Sequence, residues 1–246
     1  MDGVTAHQII RFERPRVRID IVGVTVDDGR SLERWMAHAS RARRAKAARY
    51  RLVADKIRCL ASEALLRYSL RDELQIDLDA ASLVDTHLGK PFLADHPDLH
   101  FNLSHSGEWI ACAMAAGPVG IDVEVVHPMV DLPAAQFMSG DELERHLDLD
   151  PGARVHNFYR LWTIKECVLK ALGTGFSLDP RQLTVRQEGA QLFIEGIPAP
   201  SDEASWEVRA LDMPEGVYAA VCAAAPGPAP SSVPSRMVRT RSATSK

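Results

Sequence analysis

Two carboxylates stand two residues apart in the stretch Gly-Ile-Asp-Val-Glu at 120–124, where Asp122 and Glu124 alternate with Ile121 and Val123. On a strand such neighbours point to one face, with Cα atoms roughly 6.5–7 Å apart. Like charges placed side by side repel. A hard divalent cation removes that repulsion. Mg²⁺ takes oxygen ligands, uses one or two carboxylates and leaves places for phosphates and water. The competing reading is a solvated strand face, which the apolar flanks of this segment disfavour.

A second set of groups lies on a helix. At helical spacing Phe158, Leu161, Trp162, Ile164, Val168, Leu169 and Ala171 form one broad apolar arc. Lys165 falls inside that arc, where an ammonium needs an anionic partner or a snorkelling route to water. Glu166 and Lys170, four apart, sit together at its edge. A third set is Phe-Asn-Leu-Ser-His-Ser-Gly at 101–107, a turn after a strand that crowds two hydroxyls and an imidazole. Such a turn offers donors to a phosphate. Ser104 and His105, being adjacent, do not make a hydrolase pair, and no G-x-S-x-G elbow is present. A fourth is the basic run from Arg41 to Arg58, with Arg43 and Lys46 three apart on one face and Asp55 as its single acid. A fifth, Gly-Lys-Pro at 89–91, puts Lys90 in a turn restricted by the proline.

These groups need a scaffold. The chain has 246 residues, is 46% apolar and carries a net charge of −4, enough for a real core and no global invitation to nucleic acid. The four cysteines have no metal-ligand spacing and read as core residues in a reducing compartment. Neither a signal peptide nor an apolar run of membrane-spanning length is evident, so a soluble cytoplasmic protein is expected. Residues 1–15 look irregular, 16–22 alternate as a strand, and 31–39 and 41–71 read as helices. Strands are expected at 108–116 and 119–126, with a strand between loops in 88–107. Residues 127–150 read as a loop with short helices. A long helix starts at Asp150-Pro151 and ends at Gly173. Strands follow at 182–187, 191–196, 205–211 and 216–224, and the Pro- and Ser-rich tail beyond 226 reads as disordered. The expected class is α+β, with an N-terminal subdomain at 1–118, a C-terminal one at 119–225 and the tail at 226–246. Each half has a long helix followed by strands, a weak sign of duplication.

Taken in order, "GKP", "FNLSHSG", "GIDVE" and "WTIKECVLK" resemble the motifs of the Sfp-type 4′-phosphopantetheinyl transferases. The likeness covers residues from about 38 to 223. It implies two similar α/β subdomains in a pseudo-twofold arrangement, each a small mainly antiparallel sheet on a long helix, with coenzyme A in the cleft between them. It implies an enzyme, of the holo-[acyl-carrier-protein] synthase type, that moves the phosphopantetheine arm of coenzyme A onto a serine of an acyl or peptidyl carrier protein and releases 3′,5′-ADP.

Carried over by motif, Asp122, Glu124 and Glu166 match the metal-binding acids, with Mg²⁺ as the metal. Glu166, Lys170 and Asp122 match the catalytic set, with Glu166 as the candidate base. Arg43, Lys46, Gly89, Lys90, Ser104, His105 and Lys170 match coenzyme A contacts. Arg43 stands where a lysine is common, and Cys59 where some relatives have threonine. Lys165 belongs to the motif without an assigned role. A monomer is expected, with no nucleic-acid or membrane partner, and residues 125–155, including Val125, Met129 and Phe137, are the expected carrier-docking stretch. Two alternatives remain open on the residues alone: a Mg²⁺-dependent phosphohydrolase using the same acids, and a non-enzymatic phosphate- or nucleic-acid-binding module built on the basic run.

Overall fold

The computed structural model describes residues 4–13, 16–26, 29–78, 83–86, 90–127, 133–189, 191–199 and 204–226. The expectations for Gly89, Met129 and the tail beyond 226 lie outside the described residues. In chain order the elements are β1 (Val4–Glu13), β2 (Arg16–Val24), α1 (Gly29–His38), α2 (Arg41–Ala48), α3 (Val53–Leu74), β3 (Leu83–Asp85), β4 (Pro91–Leu93), β5 (His100–Ser106), β6 (Trp109–Ala115) and β7 (Val119–Val125). There follow α4 (Ala134–Phe137), α5 (Gly140–Leu147), α6 (Pro151–Leu172), β8 (Thr184–Glu188), β9 (Gln191–Glu195), β10 (Ala204–Leu211) and β11 (Val217–Pro226). The class is α+β.

Two antiparallel sheets carry the architecture, ordered β1-β2-β6-β5 and β10-β11-β7. Strand alternation explains how they stack. On β6, Ile110, Cys112 and Met114 pack toward α3, whereas Ala111, Ala113 and Ala115 face the second sheet. On β7, Val119, Ile121 and Val123 meet those alanines together with Val17, Ile19 and Ile21 of β2. The other face of the second sheet packs on α6 through Val168, Cys167, Ala220 and Cys222. The result is helix, sheet, sheet, helix. Small residues at the middle let the two sheets approach closely.

Residues 1–15 do not stay irregular, because β1 pairs with β2 along nearly its whole length. Its sequence is mixed polar because it is an edge strand, mostly exposed, with Ile10 and Phe12 turned to the core. The long helix α6 begins and ends where its punctuation says. Asp150 accepts from Ala153 N at 3.0 Å, Pro151 occupies the first turn, and Gly173 takes the left-handed conformation at φ 70°.

Gly120 fixes how α6 meets β7. A Cβ there would stand 2.1 Å from Cys167 O and 2.3 Å from Ala171 N. Helix backbone therefore rests directly on strand backbone. That contact puts Glu166 and Lys170 beside Asp122, one pleat away.

Candidate active site

The seam between β5 and β7 is built from side chains. Asn102 Oδ1 accepts from Ile121 N at 2.9 Å, Ser104 Oγ from Val123 N at 3.3 Å, and Ser106 Oγ from Val125 N at 3.1 Å. The same two hydroxyls donate to the carboxylates that precede those amides. Ser104 Oγ reaches Asp122 Oδ1 at 2.8 Å, and Ser106 Oγ reaches Glu124 Oε2 at 2.8 Å. The Ser-x-Ser of β5 is thus in register with the Asp-x-Glu of β7, and both acids are aimed by the strand beside them.

Helix α6 closes the site from the other side with Trp162, Glu166 and Lys170, which share one face at four-residue intervals. Lys170 Nζ donates to Asp122 Oδ1 at 2.5 Å and to Ser104 Oγ at 3.0 Å. Trp162 Nε1 donates to Glu124 Oε1 at 3.3 Å. Two buried carboxylate oxygens, Asp122 Oδ2 and Glu166 Oε1, have no hydrogen-bond partner among the described residues. Buried acceptors are nearly always satisfied, so two orphans on neighbouring acids are informative.

The protonation chemistry follows from this crowding. Burial pushes the Asp122 carboxyl above the ordinary carboxylate range, against the pull of Lys170. Burial, reinforced by the Asp122 charge, also raises Glu124. Glu166 is raised to about 7: burial contributes most, Lys170 opposes it, and the charges of Asp122 and Glu124 add to it. The site holds more negative charge than its single lysine neutralises.

Among the described residues no group of three His, Cys, Asp or Glu side chains stands arranged to hold a metal ion. Asp122 instead has one oxygen on the Lys170 ammonium. The donor chemistry still fits a divalent cation, because Mg²⁺ needs only one or two carboxylates when phosphate and water complete its shell, and two unpartnered carboxylate oxygens are present.

The basic residues gather in a groove of about 800 Å³ lined by Arg43, Lys46, Arg49, Cys59, Arg67 and His105, among others. His105 follows Ser104 on β5 and faces this groove, so the strand links the basic region to the acids. Partial desolvation, then the nearby Arg58 and Lys170, hold the His105 imidazole below its usual range. Arg58 Nη1 grips Gly107 O at 2.9 Å and so ties α3 to the turn after His105.

Two residues matched by motif to coenzyme A contacts, Ser104 and Lys90, spend their polar atoms on bonds within the protein. Ser104 is buried and bonded within the acid cluster. Lys90 Nζ donates to Lys170 O at 2.6 Å and Val119 O at 3.1 Å. It caps the carbonyl end of α6 and bolts it to the start of β7, and burial lowers its ammonium to about 8. Phe137 is buried, with its ring stacked on Trp162 at 4.4 Å between centroids, so it is no docking residue.

Lys165, whose role was open, is fully buried. Its ammonium donates to Glu142 Oε2 at 2.5 Å, Pro180 O at 3.0 Å and Phe137 O at 3.1 Å. Sequence reasoning passed over Ser106 and Trp162, the partners of Glu124. Matching the two-residue spacing of Ser-x-Ser to that of Asp-x-Glu would have found Ser106.

Comparison with known proteins identifies the family. Residues 118–222 match the family described as the 4′-phosphopantetheinyl transferase superfamily, and residues 29–117 match "4′-phosphopantetheinyl transferase, N-terminal". The chain is 34% identical over 195 residues to 4′-phosphopantetheinyl transferase Sfp of Bacillus subtilis (strain 168), covering 79% of this chain and 86% of that protein. It is 31% identical over 201 residues to 4′-phosphopantetheinyl transferase psf-1 of Bacillus pumilus, covering 81% and 85%. A more distant relative, the L-aminoadipate-semialdehyde dehydrogenase-phosphopantetheinyl transferase of Xenopus laevis, is 30% identical over 149 residues, covering 52% and 47%. The chain belongs to the 4′-phosphopantetheinyl transferase superfamily.

Proposed function

We propose that this protein transfers the 4′-phosphopantetheine arm of coenzyme A to a serine of an acyl or peptidyl carrier protein, releasing 3′,5′-ADP. The observation that carries the reading is the cluster of Asp122, Glu124, Glu166 and Lys170, with two buried carboxylate oxygens unpartnered, next to a basic groove. Likeness to proteins named phosphopantetheinyl transferases over most of the chain supports it. The Sfp type replaces the narrower holo-[acyl-carrier-protein] synthase label.

In this reading the two similar halves, 1–118 and 119–225, hold coenzyme A between them. Arg43, Lys46 and His105 bind its phosphates in the groove. Lys170, held between Asp122 and Ser104, faces the diphosphate, and Lys90 secures the helix that carries it. Asp122 and Glu166 would hold Mg²⁺ through their unpartnered oxygens, with Glu124 beside them. The ion, when bound, neutralises charge growing on the leaving 3′,5′-ADP. Glu166 takes the proton from the carrier serine. Little else is required, because phosphoryl transfer depends mainly on positioning and charge stabilisation. Four buried free thiols suit a reducing, cytoplasmic setting, and one chain with both halves suits a monomer.

Mass spectrometry of an apo carrier protein incubated with the enzyme, coenzyme A and Mg²⁺ tests this. A carrier heavier by one phosphopantetheine supports it. Consumption of coenzyme A with an unchanged carrier points to the phosphohydrolase, and neither change points to a binding module.

A further inference from the structure

We propose that Glu63, which no motif contains, is a positioning residue that holds Arg43 and the start of α2 for recognition of a phosphomonoester, the 3′-phosphate of coenzyme A. The inference rests on the function proposed above.

Glu63 lies on the buried face of α3 among Leu60, Ala61, Leu65 and Leu66, and is 2% exposed. An ionised carboxylate so placed is strongly unfavourable unless its oxygens are occupied. Both are. Oε1 accepts from Ser40 N at 2.8 Å and from Arg67 Nη2 and Nε at 3.0 and 3.1 Å. Oε2 accepts from Ser40 Oγ at 2.9 Å and Arg43 Nε at 3.3 Å. Burial alone would raise this carboxyl, but the bonds from Ser40 and Arg67 hold it below the ordinary range.

The partners give the arrangement its purpose. Ser40 caps α2, its hydroxyl accepting from Arg43 N at 3.1 Å. The first turn of α2 contains no acid, yet it carries arginines at the positive end of the helix dipole. Glu63 supplies from α3 the negative charge that turn lacks. It engages Arg43 through Nε while Nη1 lies 3.8 Å from Cys59 Sγ, so the guanidinium plane is set between two residues that line the groove. Arg67, held by the same carboxylate, lines the groove as well. A guanidinium with a fixed plane presents a defined fork to phosphate, which a loose one does not.

The test compares coenzyme A with dephospho-coenzyme A, which lacks only the 3′-phosphate, as donors to an apo carrier. The proteins are wild type, Glu63→Gln, Arg43→Ala and the double variant. Wild type should prefer coenzyme A in kcat/KM. Glu63→Gln should cut that preference about tenfold, the scale of a charge-assisted hydrogen bond. In the Arg43→Ala background Glu63→Gln should change the preference little further, because the two act as one unit. A merely structural Glu63 would lower both donors alike and leave the preference intact. An unchanged preference in Glu63→Gln, or additive losses in the double variant, overturns the inference. If Glu63→Gln does not fold, Ser40→Ala, which removes one donor to the same oxygen, should lower the preference by a smaller factor, and a wild-type preference there overturns it equally. Wild-type transfer with no preference for coenzyme A sinks this inference alone, whereas no wild-type transfer sinks the proposed function with it.

Discussion

Helix α6 carries two lysine–carboxylate pairs five residues apart, and they differ in what remains unsatisfied. Lys165 and Glu142 are 2.5 Å apart and fully buried. The ammonium has three acceptors. The carboxylate also accepts from Ser139 N and Val185 N, at 2.8 and 2.7 Å. Lys170 and Asp122 are equally close at 2.5 Å, but Lys170 is partly open, Asp122 keeps an unpartnered oxygen, and two further acids crowd the pair. The first pair is a clamp joining α4, α5 and β8 to α6. The second is an unfinished charge cluster ready for a ligand. The contrast lies in unmet capacity, since a close ion pair with a buried carboxylate is common to both.

The largest expected effect breaks the second pair. Glu166→Gln should reduce transfer by roughly a thousandfold or more, through loss of the base and of a cation-holding oxygen. The same change should stabilise the protein. Glu166 binds its proton more tightly folded than unfolded, so ionising it opposes folding as pH rises from the ordinary carboxylate range to about 7. Without Mg²⁺ at about pH 8, Glu166→Gln should therefore be more stable than wild type by about 2 kcal/mol in denaturant titration, and equal to it near pH 4. Equal stability at both pH values would refute the charge-crowding explanation.

Breaking the first pair should do the opposite. Lys165→Ala leaves Glu142 buried without its cation and should destabilise by about 3–5 kcal/mol. A double replacement, Lys165→Met with Glu142→Leu, should recover much of that loss, read as the midpoint of chemical unfolding. If the single variant unfolds like wild type, the clamp is misassigned. Smaller still, Ser106→Ala should loosen Glu124 and lower kcat about tenfold with little change in KM for coenzyme A. A change confined to KM would place Ser106 in the binding groove instead. Least of all, Mg²⁺ affinity should fall as pH drops below about 7, because proton and cation compete for the Glu166 carboxylate, and an affinity independent of pH would remove Glu166 from the cation site.

Much of this site was legible because strand and helix periodicities put Asp122 with Glu124 and Glu166 with Lys170 before any coordinates. The caps Asp150, Pro151 and Gly173 likewise bounded α6. What stayed hidden depended on partners distant in sequence. Lys165 showed a need for an anion, but nothing local identified Glu142, 23 residues earlier. Glu63 reads as one more acid on α3 until Ser40 and Arg43 fold over it. Lys90 reads as a ligand contact, although α6 takes its ammonium. The strand β1 was missed because an exposed edge has no alternation to show. Its order comes from pairing with β2 and from Arg11, whose guanidinium donates to Glu73 of α3 at 3.1 Å.

Calorimetric titration of Mg²⁺ into wild type, into Glu166→Gln and into the Lys165→Met, Glu142→Leu double variant tests most directly that unmet carboxylate capacity makes the Lys170 cluster the site. Saturable binding should occur in wild type and in the clamp variant and be lost in Glu166→Gln. Undiminished binding by Glu166→Gln, or no binding by wild type, would contradict it.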